Sequence, residues 1–160
     1  MRRAFGRAIL KLAEKDKNII LITGDVEQEI KDFKEQAESH YFNFGLCEQA
    51  MITAAAGMAS QGLRPVVYSI TPFILERPFE QVKIDIDEQN LPVILIGNSD
   101  YPTHGPTHRP LDAEYLCRIF KNINSFFPQS EAQAEKAIID AYLMNAPAII
   151  CLKNDRMPYL

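Results

Sequence analysis

Apolar and polar positions alternate along this chain in two rhythms. Phe5, Ile9, Leu12 and Ala13 recur at helical spacing and predict a helix over 3–15 with one buried face. Asp16-Lys17-Asn18 ends it, and Ile19-Ile20-Leu21-Ile22-Thr23 follows as a continuous apolar run, the mark of a strand covered on both faces. After the Gly24-Asp25 turn the pattern predicts a polar helix over 29–38 and a short aromatic strand over 41–44. An alanine- and methionine-rich helix follows over 48–61, with Gly62 as its C-cap. Residues 65–70 read as a strand that Thr71-Pro72 breaks, residues 78–88 as a helix and residues 92–97 as a strand. Residues 98–110 form a loop dense in Pro, Gly and Thr. A helix over 112–120, a weak strand over 123–127, a helix to Met144 opened by a Ser130-x-x-Gln133 capping box, and a strand over 148–152 complete the reading. Alternating apolar strands and helices predict an α/β fold, a mostly parallel sheet with helices on both faces, whose functional groups gather at the carboxyl ends of the strands.

Length and charge narrow this picture. The 160 residues are read as one domain over 1–160, large enough to bury a core. A net charge of −4, from 17 basic and 21 acidic residues mixed along the chain, gives no basic stripe for a phosphate backbone, so no nucleic-acid partner is expected. Cys47, Cys117 and Cys151 are odd in number and widely spaced, which fits a reducing cytoplasm and neither a disulfide framework nor a zinc site. The basic start, Met1-Arg2-Arg3, runs into an amphipathic helix rather than a signal peptide, and no window is apolar enough to span a bilayer.

The chemistry centres on Phe44-Gly45-Leu46-Cys47-Glu48, where an aromatic strand breaks at a glycine and an acid opens a helix. A helix N-terminus favours a carboxylate by roughly 0.3–1 kcal/mol, so a purely structural role is open. Met51, Ile52, Ala54, Ala55, Ala56 and Met58 offer almost nothing polar to solvate a charge. A carboxyl there is expected to hold its proton more tightly than in water, as a proton-sharing catalyst must. Neither G-x-G-x-x-G nor G-x-x-x-x-G-K-[ST] is present, which disfavours a nucleotide-binding reading. His104 and His108 stand four apart, but Gly105-Pro106 between them forbids the helix that would aim both at one metal. Hydrogen bonding, proton transfer or plain solvation remain open for them. Arg77 is either an anion-binding or ring-stacking group or a salt-bridge partner of Glu76 or Glu80. The small-residue surface Ala54-Ala55-Ala56-Gly57-x-Ala59 suits either a core contact or a subunit interface.

Taken together these pieces resemble one family, the pyrimidine-binding domain of transketolase-type thiamine-diphosphate enzymes. The resemblance rests on Arg2-x-x-x-Gly6, Phe44-Gly45-Leu46-Cys47-Glu48-Gln49-x-Met51, Ala55-Ala56-Gly57-Met58-Ala59, Arg77-x-x-Glu80-Gln81-Val82 with Asp85, Leu91-Pro92-Val93 and Gly105-Pro106-Thr107-His108. It implies that Glu48 hydrogen-bonds a ring nitrogen of the aminopyrimidine and favours its imino tautomer, which takes the proton from the thiazolium carbon that attacks a ketose or 2-oxo acid carbonyl. It further implies that Phe73 and Arg77 lie near the pyrimidine, that His108 reaches the bound intermediate, and that Arg2 and His104 meet the substrate. The loop between Gly97 and Gly105 is shorter than in typical transketolases, and His104 stands where an aspartate that contacts sugar hydroxyls is usual, which leaves the substrate open.

The resemblance also implies what must come from elsewhere. Magnesium and the cofactor's diphosphate need a Gly-Asp-Gly motif that this chain lacks, so their ligands are expected on a partner subunit and no metal ligand is expected here. The expected assembly is a hetero-oligomer, a heterotetramer, acting on a sugar phosphate or 2-oxo acid. The expected reaction is two-carbon ketol transfer between sugars. The alternatives are a 2-oxo acid condensation or decarboxylation of the deoxyxylulose-phosphate synthase or oxo-acid dehydrogenase kind, or a non-catalytic assembly subunit.

Overall fold

A computed structural model describes residues 1–27, 29–98, 105–109 and 111–153. Among them six strands form one sheet in the order β2-β1-β3-β4-β6-β5, every neighbouring pair parallel. The strands are β1 (Ile19–Thr23), β2 (Tyr41–Asn43), β3 (Arg64–Ile70), β4 (Ile94–Asn98), β5 (Asn124–Phe126) and β6 (Ala148–Leu152). The three strands β1, β4 and β6 are buried at every position, which explains their unbroken apolar runs. Side chains of the central strands β1, β3 and β4 alternate between two cores. Leu21, Tyr68 and Ile96 join Phe5 and Ile9 of α1 (Arg2–Lys15), Phe33 of α2 (Lys31–Gln36) and Ile138 of α7 (Glu131–Met144) on one face. Ile22, Val67 and Leu95 join Met51, Ile52 and Ala55 of α3 (Glu48–Ser60), with Leu75 and Val82, on the other.

Several helices differ from the sequence expectation. Thr71-Pro72 does not break the chain but starts α4 (Thr71–Leu75), because proline's missing N–H is no loss in a first helical turn. The predicted helix over 78–88 is α5 (Phe79–Gln81) widening into a π-helix (Val82–Asp87). At its end the buried Asp87 carboxylate accepts the backbone N–H groups of Lys121, Asn122 and Ile123, which pins the approach to β5. The helix over 112–120 is shorter, α6 (Ala113–Cys117), capped by Asp112, whose side chain accepts from Tyr115 N–H. Half of the Ser130 capping box is present: Ser130 accepts from Gln133 N–H, but the Gln133 side chain accepts from Gln129 N–H instead of returning to Ser130. The small-residue surface of α3 divides. Ala55, Ala56 and Ala59 pack in the core, whereas a Cβ at Gly57 would meet nothing within 4 Å.

No helix among the described residues is long and apolar enough to cross a membrane.

Candidate functional site

Two close approaches and a left-handed turn set the acid in place. At the carboxyl end of β1 a Cβ on Gly24 would lie 2.8 Å from the Gly45 carbonyl oxygen and 3.0 Å from Met51 Sδ, so only glycine lets the chain before α3 lie against the strand exit. Gly45 itself has φ +65, the left-handed region that glycine enters without strain. Its N–H donates to Asn43 Oδ1 at 2.8 Å, and the turn delivers Glu48 as the first residue of α3.

Glu48 is 0% exposed. Removing a lone carboxylate from water costs several kcal/mol, which a well-placed partner must offset. Arg77 Nη1 donates to both Glu48 oxygens at 2.9 Å, while Gln49 Nε2 donates to the Arg77 carbonyl at 3.3 Å. The purely apolar setting expected around Glu48 is therefore corrected: a guanidinium from the end of α4 solvates the charge. Of the two roles open to Arg77, the anion-binding and ring-contacting one is seen, and not a salt bridge to Glu76 or Glu80; Glu76 Oε1 instead accepts Leu111 N–H at 2.7 Å. The guanidinium carbon also lies 3.7 Å above the centre of the Phe73 ring. His108 meets Phe73 edge-on, ring centres 5.1 Å apart and planes at 65°. It sits on a 3₁₀ turn (Pro106–His108) entered through Gly105 at φ +91, and its Nδ1 lies 3.1 Å from Thr107 Oγ1.

The structure thus brings together Glu48, Phe73, Arg77 and His108 beyond the carboxyl ends of β1 and β3. Arg2 lies on the opposite face of the sheet, ion-paired with Glu29 at 2.9 Å, and Glu29 also accepts from Tyr68 hydroxyl. His104 lies outside the described residues. A separate open groove of about 600 Å³ runs beside β5 and α7, lined by Phe126, Leu143 and Met144 among others. Its polar lining is open to solvent, Ser125 exposed and Asp140 paired with Lys136 at the surface, and no buried acid converges there, so the Glu48 cluster is the candidate site.

A second cluster, which no sequence motif marks, lies at the exit of β1. Glu27 accepts from Lys34 Nζ at 2.8 Å, Tyr41 hydroxyl at 2.6 Å and Asn43 Nδ2 at 2.7 Å. These bonds, that of Lys34 foremost, hold its carboxyl down at about 2. Burial and the Glu27 charge push the Tyr41 phenol up. The only sequence signal is Asp25 and Glu27 two apart beyond a strand end, too common to single out. Cys47, Cys117 and Cys151 are free thiols.

The architecture is a parallel α/β domain with a buried acid starting a helix at the strand ends. The chain matches the family model described as transketolase, pyrimidine binding domain, over residues 1–158, and it belongs to that family. Among curated proteins it is 36% identical over 154 residues to 1-deoxy-D-xylulose-5-phosphate synthase of Lawsonia intracellularis, covering 91% of this chain and 23% of that protein. It is 35% identical over 155 residues to the synthase of the same name from Oleidesulfovibrio alaskensis, again covering 91% of this chain and 23% of the relative. The chain therefore spans about a quarter of the length of these relatives. Among solved structures it superposes with TM-score 0.86 and 26% identity on a split gene transketolase described as an inactive beta4 tetramer, over 99% of this chain and 52% of that one. Transketolase from Leishmania mexicana, at 20% identity and TM-score 0.83 over 95% of this chain and 25% of that one, shares the fold. Family membership implies use of thiamine diphosphate.

Proposed function

We propose that this chain, as a single domain over 1–160, is the pyrimidine-binding subunit of a split transketolase-like enzyme. With a partner subunit that carries the diphosphate and magnesium site it activates thiamine diphosphate for two-carbon ketol transfer between sugars, in the cytoplasm. The observation that carries this reading is the fully buried Glu48 carboxylate in the first turn of α3, beside the Phe73 ring. The site suits an aminopyrimidine because a flat group, the Arg77 guanidinium, already fits between the Glu48 carboxylate and the face of Phe73, and a ring there would meet a buried carboxyl able to share a proton with its nitrogen. Similarity to a split gene transketolase supports a partner subunit and a hetero-oligomer, read here as a heterotetramer.

Bound thiamine diphosphate supplies an acidic thiazolium carbon whose conjugate base adds to a carbonyl. Glu48, screened from water by α3 and α4, shares a proton with a ring nitrogen and so sets which tautomer the ring adopts. Phe73 stacks the ring and fixes its plane. His108, held against Phe73, hydrogen-bonds or protonates the substrate side. Arg2 and His104 remain substrate-side proposals from the resemblance, though Arg2 is engaged by Glu29.

In the assembled enzyme, Glu48→Gln should keep fold and assembly but slow hydrogen–deuterium exchange at the thiazolium carbon by at least roughly a hundredfold. Near-normal exchange would reject the assignment. A second reading, condensation of a 2-oxo acid, is favoured by the greater identity to the deoxyxylulose-phosphate synthases. Supplying the assembly with a ketose phosphate in one assay and a 2-oxo acid in another separates the two.

A further inference from the structure

We propose that Arg77 is a displaceable occupant of the ring-binding subsite, holding in the empty chain the place that a flat nitrogen heterocycle takes on binding. The inference rests on the cofactor reading above but goes beyond it, since that reading only sets Arg77 near the ring.

The geometry gives the reason. Arg77 Nη1 bridges Glu48 Oε1 and Oε2 at 2.9 Å each, so the hydrogen bonds a ring would make with this carboxylate are already made. The guanidinium carbon lies over the Phe73 ring, 3.7 Å from its centre, close enough to exclude another group from that face. Phe73 is only 7% exposed and His108 meets its edge, so no second open face is left for a heterocycle. A ring stacked on Phe73 and bonded to Glu48 needs the space the guanidinium fills, and the two cannot be present together.

Exchange between them is feasible when one proton is taken up from solvent as the guanidinium cation leaves. The guanidinium offers Glu48 N–H donors and Phe73 a flat face, whereas the aminopyrimidine offers Phe73 a flat face and Glu48 a ring nitrogen that accepts, so the proton taken up is held between the carboxyl and that nitrogen. Simply withdrawing Arg77 would leave a buried carboxylate unpaired, which is strongly unfavourable. Withdrawal while a ring enters leaves no such vacancy. Arg77 is 33% exposed at its side chain and can turn outward from the end of α4. Apparent affinity for the ring is then reduced by the fraction of time the guanidinium stays paired. Arg77 thus keeps the acid desolvated yet satisfied before the cofactor arrives, at a cost in affinity.

The probe is thiamine, which carries the aminopyrimidine but no diphosphate, titrated into the chain by NMR. Arg77→Ala should bind it at least about tenfold more tightly than the natural chain, as expected if the guanidinium is paired more than about nine-tenths of the time. Arg77→Gln serves the same purpose if the alanine variant does not fold, judged by circular dichroism. In the natural chain with ¹⁵N-labelled arginine, the slowed rotation of the paired Arg77 guanidinium should be lost as thiamine saturates the site. Equal or weaker binding by both variants, or a guanidinium signal that stays paired at saturation, overturns the proposal. If Glu48→Gln still slows exchange in the assembled enzyme while these results fail, only the displacement idea falls. If exchange is also normal, the cofactor reading falls with it.

Discussion

His108 shows how little one residue needs in order to be aimed. Its ring is steadied by the Phe73 edge on one side and by Thr107 hydroxyl at Nδ1 on the other, and the Gly105 turn sets the backbone that carries it. Because it touches the aromatic wall and not the carboxylate, its proposed task is on the substrate side. His108→Ala in the assembled enzyme should therefore lower kcat while cofactor affinity stays close to unchanged. Parallel loss of turnover and of cofactor binding, measured by steady-state kinetics and calorimetry, would move His108 to the cofactor side. Glu48 illustrates the limit of reading single residues. Its place at a helix start follows from the glycine break before it. Its partner does not, because Arg77 is 29 positions away and has two acids much nearer in sequence.

At the scale of elements, legibility follows burial. Strands β1 and β6 lie where their continuous apolar runs predict, since a strand covered on both faces has no polar positions to confuse the pattern. Helices α4, α5 and α6 depart from expectation because tertiary contacts decide such short segments. Asp87 turning inward to three backbone N–H groups has no counterpart in local periodicity. The Glu27 cluster is of the same kind, joining the β1 exit to Lys34 of α2 and to β2. Its folded carboxyl sits at about 2, below the ordinary 4.5, so its contribution to stability is present above that ordinary value and is lost as pH falls toward about 2. The side chain is 36% exposed, and solvent screening holds the contribution to about 1 kcal/mol or less, a few degrees in Tm. Glu27→Gln should melt lower than the natural chain near pH 7, and by a much smaller margin near pH 2. A gap of the same size at both pH values would mean that the carboxylate's charge is not what ties these elements together.

The whole molecule offers a wall for a ring and a buried acid, and the proposed reading assigns the diphosphate to a partner. A diphosphate in water needs a divalent cation and several oxygen ligands, and among the described residues no group of three or more His, Cys, Asp or Glu side chains could hold a metal ion. Calorimetry with thiamine diphosphate and magnesium should accordingly show binding at least about a hundredfold tighter with the partner than with the chain alone. Tight binding or ketol transfer by the lone chain would sink the split-subunit reading. The ends of the sheet bear on how such a subunit survives before assembly. Each outer strand, β2 and β5, is three residues long, which leaves roughly 10 Å of open backbone on either side. An edge so short is a poor template for another strand, which disfavours edge-to-edge stacking of copies through either side.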